Sequence, residues 1–261
     1  MKISVAATAP FGADVLERLA ARHEVEALLT RPDRPAGRGR KLSAPPAKQV
    51  AERLAIPVLQ PDRPTAELEL PGDAVIVAAY GLLIPESLLA TGLWLNVHPS
   101  LLPRWRGAAP IERALLAGDT ETGVTIHETV KELDAGPIAA QRAFPLGAED
   151  DAGAVYARAA ELAVKLLDDV LPSPSFAPQD GEPTYAAKIE AADRELDLSN
   201  PEESFNRIRA LSPHIGARGE LNGRRVTIWK SRLEDGDLVP VEVQPEGGKR
   251  MPYEAWLRGL K

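Results

Sequence analysis

The run LWLNVHPSLLPRWRG, residues 93–107, opens as a buried strand and closes as a polar loop bounded by prolines. Apolar residues surround Asn96, and Pro99 keeps His98 out of the helical region, so the strand is expected to stop there. Asn96 and His98 are two apart, which in an extended chain puts both side chains on one face. In an open sheet of parallel strands, ligands bind beyond the carboxyl ends of the strands. The amide and the imidazole would stand at such a place if this segment belongs to such a sheet.

The neighbouring sequence says that it does. KISVAAT (2–8), VEALLT (25–30) and DAVIVAAY (73–80) are short apolar runs bounded by turn formers, as strands buried on both faces of a parallel sheet must be. Between them, GADVLERLAAR (12–22), PAKQVAERLA (46–55) and IPESLLA (84–90) place apolar residues at helical spacing. AAPIERALLAG (108–118) reads as a further helix with a glycine stop, and TGVTIHET (122–129) as a strand with one wet face. DAGAVYARAAELAVKLLDDVL (151–171) is a long helix for which Asp151 is the natural N-cap. Strands alternating with helices predict an α/β fold built on a doubly wound sheet.

After residue 171 the composition changes. Four prolines among polar residues in LPSPSFAPQDGEP (171–183) read as a linker. Beyond it, RGELNGRRVTIWKSRL (218–233) sets Asn222-Gly223 between two strand-like runs, a strong hairpin signal. The expected organisation is therefore a first domain at 1–171, a linker at 172–183 and a smaller β-rich domain at 184–261.

Composition narrows the function classes. The chain has 261 residues, 44% hydrophobic and 26% charged, as a soluble globular protein does. With no cysteine it holds no disulfide or thiolate metal site, which suits a reducing cytoplasm. Its four histidines, His23, His98, His127 and His214, form no ligand-spaced pair, so no metal is expected. Nothing in it has the length of a membrane span, and MKISVAATAPFGADV is not an export signal. A net charge of −7 argues against binding nucleic acid over the whole surface. Residues 31–48 differ locally: Arg31, Arg34, Arg38, Arg40, Lys41 and Lys48 face the single acid Asp33. Such a segment is either a solvated surface or a local grip for phosphates.

An amide and an imidazole on one face can hold an oxygen that becomes negative while a carbonyl is attacked. They can equally be a hydrogen-bonded strand end. Asp134, in the turn-forming ELDAGPI (132–138), supplies a carboxylate able to orient an imidazole, or simply an Asx-turn. Trp105, between Arg104 and Arg106, suits either packing or base stacking. His23 and His214 read as structural or solvent-facing, and His127 has no assigned role.

The segment from Asn96 to Pro103, followed by the Asp134-Ala-Gly loop, resembles the folate-dependent formyltransferases. RPDRPAGRGRKLSAPPAK (31–48) and SLLPRWRGAAPIERALLAGDTETGVTI (100–126) are more narrowly similar to the methionyl-tRNA formyltransferase family. The resemblance implies a Rossmann-like catalytic domain with an oligonucleotide-binding-like second domain, and transfer of formyl from 10-formyltetrahydrofolate to the α-amine of methionyl initiator tRNA. Carried over residue by residue, Asn96 and His98 would polarise the formyl oxygen, and Asp134 would orient His98 and assist proton transfer. Ser100, Leu101, Leu102 and Pro103 match the folate-contacting segment, with a cis bond expected before Pro103. Arg34, Arg38, Arg40 and Lys41 would grip the tRNA, Arg38 helping to recognise the initiator-specific end. The resemblance requires no metal, and a cytoplasmic monomer is expected.

Two departures stand out. Ala7 replaces an expected glycine, and only SRLEDGDLVPVEV separates VTIWK (226–230) from the closing segment QPEGGKRMPYEAWLRG (244–259). The second domain is therefore expected to be shortened. Two other readings fit part of the pattern. A formyltransferase acting on an amino sugar nucleotide would keep Asn96, His98 and Asp134 without needing the basic loop. A catalytically idle tRNA-binding relative would keep only the loop.

Overall fold

The computed structural model describes residues 1–36 and 41–260. The chain forms two compact units. One comprises Met1–Arg106, Gly123–Ala143 and Ala157–Thr184, and the other comprises Gly107–Thr122, Phe144–Tyr156 and the residues from Tyr185 onward.

In chain order, β1 (Lys2–Ala7), α1 (Pro10–Ala20) and β2 (Glu24–Leu29) lead into a hairpin of β3 (Arg34–Ala36) and β4 (Lys41–Ser43). Next come α2 (Pro46–Arg53), β5 (Val58–Leu59), β6 (Ala74–Ala78), α3 (Glu86–Leu89) and β7 (Trp94–His98). The short β8 (Arg106–Gly107) precedes α4 (Pro110–Leu116), β9 (Glu121–Glu128), β10 (Ile138–Pro145) and α5 (Ala152–Val170). The main sheet runs β10-β9-β7-β6-β1-β2-β5. The strands from β7 to β5 are parallel, and β9 is antiparallel to β7.

Every residue of β6, and all of β1 after Lys2, is buried, which explains why these strands are apolar without alternation. Around β6, Ala6, Leu29, Val77, Tyr80, Leu88 and Trp94 belong to one core cluster. Asp151 caps α5 as expected, accepting the Ala154 N–H at 2.8 Å.

The second unit continues with β11 (Tyr185–Ala186), α6 (Pro201–Leu211), β12 (Ala217–Leu221), β13 (Arg224–Glu234), β14 (Asp237–Pro245), β15 (Met251–Pro252) and α7 (Tyr253–Arg258). Strands β12 to β15 form an antiparallel four-stranded sheet in chain order, the small β-rich second element that the shortened sequence predicts. Asn222 and Gly223 both take positive φ, 51° and 70°, as a two-residue turn between β12 and β13 requires. Ile208, Leu211, Val226, Ile228, Val243 and Trp256 form the core of this unit. Helix α4 packs on α6. Its chain neighbours on either side belong to the first unit, but α4 itself belongs to this one.

Candidate active site

Strand β7 places Asn96 and His98 on one face at the carboxyl end of the parallel strands. The antiparallel partner β9 completes that face, with His127 directly across from Asn96 and Thr125 across from His98. Pro99 ends the strand, and the chain reverses tightly, the Ser100 N–H donating to the His98 carbonyl at 2.9 Å.

Asp134 reaches the same point from the loop after β9. Its backbone is left-handed, with φ 48°. Gly136 lets that loop lie against β9, because a Cβ there would stand 1.8 Å from the Glu128 carbonyl oxygen. The Glu128 N–H in turn donates to the Pro137 carbonyl at 2.9 Å. Asp134 is 9% exposed, His98 4% and His127 1%, so the three form a nearly dry cluster.

Asn96 Nδ2 donates to Asp134 Oδ1 at 3.1 Å. His98 Nδ1 lies 3.6 Å from Asp134 Oδ2, and His127 Nε2 lies 3.7 Å from Asp134 Oδ1. Both contacts are electrostatic and too long for hydrogen bonds. The tautomers follow from the other ring nitrogens. His98 Nε2 is 2.8 Å from the Trp105 carbonyl and His127 Nδ1 is 2.8 Å from the Glu128 carbonyl. A carbonyl only accepts, so those nitrogens carry the hydrogens. In their neutral forms both rings then turn a bare nitrogen toward one carboxylate, and His127 Nε2 is buried without a hydrogen-bond partner. Burial holds the His98 imidazole below its ordinary range, against the opposing pull of the Asp134 carboxylate and the Trp105 carbonyl. His98 Nδ1 can therefore accept a proton, with the Asp134 carboxylate beside it favouring the charged ring against the cost of burial.

The Formyl transferase family profile matches residues 1–171. The methionyl-tRNA formyltransferase of Paracoccus denitrificans is 38% identical over 292 aligned positions, covering all of this chain and 98% of that protein. That of Dechloromonas aromatica is 40% identical, covering 99% of this chain and 96% of that protein. This chain belongs to the methionyl-tRNA formyltransferase family. Its fold also superposes on the N-formyltransferase of Helicobacter canadensis, solved in complex with folinic acid and dTDP-3-aminofucose, with a TM-score of 0.69 at 19% identity over 97% of this chain and 98% of that one. The alignment with the Paracoccus relative runs longer than the 261 residues here, so relatives of the methionyl-tRNA formyltransferase family carry segments that this member lacks.

The residues that family resemblance singled out fall into three groups. Asn96, His98 and Asp134 are together. The Ser100 to Pro103 segment lies beside them as a tightly bonded turn. Ser100 Oγ donates to the Arg104 carbonyl at 2.6 Å, and the Leu102 N–H and carbonyl are taken by Thr125 and Gln141. Ser100 and Leu102 are buried, Leu101 and Pro103 half-buried, and the Leu102-Pro103 bond is cis as expected. In the third group, Arg34 and Lys41 are exposed on the β3–β4 hairpin, whereas Arg38 and Arg40 lie outside the described residues. Lys48, counted among the cations of this segment, is engaged otherwise: its Nζ donates to both Asp33 oxygens at 2.9 Å, with Gln60 beside it. The Asp33 carboxyl is held below its usual range, first by the Gln60 hydrogen bond and then by Lys48.

Two features escaped the sequence reading. His127 stands in the cluster, although far from His98 in sequence. Its alternation within β9 together with the antiparallel pairing to β7 is the signal that places it there. The segment 172–183, read as a linker, is tied to the site: Ala177 and Ile138 exchange backbone hydrogen bonds, and Gln179 reaches the Asp134 loop. Among the described residues no helix is long and apolar enough to cross a membrane.

Proposed function

We propose that this enzyme transfers the formyl group of 10-formyltetrahydrofolate to the α-amine of methionyl initiator tRNA, in the cytoplasm and for translation initiation. The observation that carries this reading is the convergence of half-buried Asn96 with buried His98 and Asp134 in a chain that aligns end to end with methionyl-tRNA formyltransferases. The donor set suits a formyl donor: a neutral amide, an imidazole with a bare edge and a carboxylate, with the orphan Nε2 of His127 behind them. When bound, the folate supplies a formyl carbon on a nitrogen that must be protonated to leave.

Asn96 Nδ2 carries two hydrogens, and only one is directed at Asp134. The second is available to the formyl oxygen as negative charge builds on it during attack by the amine. His98 Nδ1 accepts the proton that the attacking nitrogen sheds, and Asp134 stabilises the resulting imidazolium. The new Nδ1–H then donates to the same oxygen. As the carbon–nitrogen bond to the folate breaks, His98 returns the proton to the departing nitrogen, restoring the neutral ring. Leu101 and Pro103, the half-exposed members of the turn, are the side chains of that segment with surface to offer the folate.

For the tRNA, Arg34, Arg38, Arg40 and Lys41 are assigned to the acceptor end. The outer face of the second unit's sheet is assigned to the remainder. There Arg218, Thr227 and Gln244 lie in register across three strands, Arg225 and Trp229 flank them on β13, and the Arg250 guanidinium stacks 3.7 Å above the Trp229 ring. Arg218, Arg225, Thr227, Trp229 and Gln244 border a cleft of about 440 Å³ that Glu246 also lines. Arginine and aromatic side chains on a sheet face suit phosphates and unstacked bases.

The test is incubation with labelled 10-formyltetrahydrofolate and either charged initiator or charged elongator methionine tRNA. Label in the initiator tRNA is expected. Label in neither RNA, but in an amino sugar nucleotide, would replace this reading with the small-molecule one.

A further inference from the structure

We propose that residues 176–184 are a brace for the catalytic cluster, in which Gln179 and Thr184 are positioning residues for formyl transfer. Within 178–185 all other residues are exposed, and these two alone are half-buried. Each grips one of the two left-handed residues on which the cluster depends.

Asp134, at φ 48°, and Trp105, at φ 65°, hold a backbone conformation that side chains with a Cβ resist. Gln179 Nε2 donates to the Asp134 carbonyl at 2.7 Å and to the Gly136 carbonyl at 2.9 Å. Its Oε1 accepts from Arg106 Nε at 3.1 Å and Nη2 at 2.6 Å. Both amide hydrogens and both oxygen lone pairs are thereby used, which fixes the side chain in one orientation. With the Asp134 carbonyl drawn toward Gln179, the carboxylate is left facing His98 and His127.

Thr184 does the same for the other partner of His98. Its Oγ1 accepts the Trp105 N–H at 2.9 Å, while its N–H donates to the Pro103 carbonyl at 3.2 Å and its carbonyl accepts from the Arg106 N–H at 2.8 Å. Trp105 is thus held so that its carbonyl receives His98 Nε2–H, the bond that sets the His98 tautomer. One short segment therefore controls both the atom that orients one edge of the imidazole and the carboxylate that faces the other. The Ala177 bridge to Ile138 anchors the segment at its start.

The roles rest on the formyl-transfer reading, and the experiment separates the two. Gln179→Glu keeps the acceptor for Arg106 but replaces both donors to the loop carbonyls with oxygen. Its kcat is expected to fall about tenfold or more, with KM for the folate changed less than twofold, since a small misplacement of a reacting group costs this much. On an Asp134→Ala background the same change should have almost no further effect, because the carboxylate it positions is gone. Thr184→Val should lose activity similarly while Thr184→Ser retains it. The 15N signals of the His98 and His127 rings should shift in Gln179→Glu and Thr184→Val but not in Thr184→Ser, which tests the brace without any substrate. Unchanged ring signals, a full multiplicative loss on the Asp134→Ala background, or equal damage from Ser and Val at 184 would each overturn the proposal. An unaltered chain that transfers no formyl to tRNA, with the ring signals still responding as expected, would instead count against the functional reading alone.

Discussion

The Asp134 cluster and the basic hairpin lie in the same unit and, in the proposed function, work by opposite physics. Around Asp134, hydrogen-bonding and charged contacts converge from three stretches of chain: Asn96 and His98 from β7, His127 from β9, and the backbone grip from Gln179. The groups are nearly dry, so small displacements matter and the surroundings determine each proton. On the hairpin, Arg34 and Lys41 are exposed, and what they offer a tRNA on the proposed reading is charge at a place. Water and salt moderate that charge, and position matters less. On the proposed reading, chemistry is therefore built from convergence, and tRNA capture from composition.

The sharpest way to break this contrast is to remove a convergent group. Asn96→Ala or His98→Ala is expected to lower kcat by roughly 10²-fold or more with little change in folate binding, as loss of an oxyanion donor does. Asp134→Asn should also impair turnover, because an amide cannot stabilise an imidazolium as a carboxylate does. Steady-state and single-turnover formylation rates would decide, and near-normal turnover would remove the residue concerned from the mechanism.

The hairpin should respond differently, through salt. Lys41→Ala is expected to weaken initiator and elongator tRNA alike and to reduce the log–log salt slope by about one unit, whereas Arg38→Ala should narrow the preference for initiator tRNA. Formylation of both charged tRNAs across a salt series measures this. If deletion of residues 34–41 leaves kcat/KM for initiator tRNA intact, the hairpin is no more than solvated surface.

Lys48 sharpens the comparison, since it shares the segment but not the role. Its ammonium is committed to Asp33, so Lys48→Ala should lower Tm modestly while leaving the salt slope unchanged. A slope change equal to that of Lys41→Ala would show that the Asp33 pairing does not decide the function of a cation here.

The smallest expected effect concerns pH. Burial holds the folded His98 imidazole below its ordinary value of 6.5, so the unfolded chain takes up the proton first. The contribution of His98 to stability is then complete above that value and is lost as pH falls through the lower folded value. His98→Asn should flatten this part of the Tm profile, read by calorimetry from pH 7 downward. A parent and variant with parallel profiles would show that the ring is not desolvated as the geometry requires.

Local rules were enough to read much of this protein. Strand β6 is apolar throughout because both faces are covered, Asp151 caps α5, and Asn222-Gly223 supplies two positive φ angles; each depends on neighbours in sequence. Asn96, His98 and Asp134 were legible for the same reason, aided by the family pattern, since strand alternation and turn chemistry place each one separately. Tertiary structure decided the rest. His127 joined the cluster only when β9 paired antiparallel with β7. Gln179 and Thr184, in a proline-rich stretch with the composition of a linker, acquired partners only when the chain returned to the Asp134 and Trp105 loops. Lys48 became structural because Asp33 and Gln60 met it, and α4 joined the second unit because it packs there on α6. Periodicity and turn preference act over a few residues and are written in the order of the chain. The proton positions, the buried pairings and the brace depend on atoms brought together across long separations, where only the packed fold sets distance and dielectric.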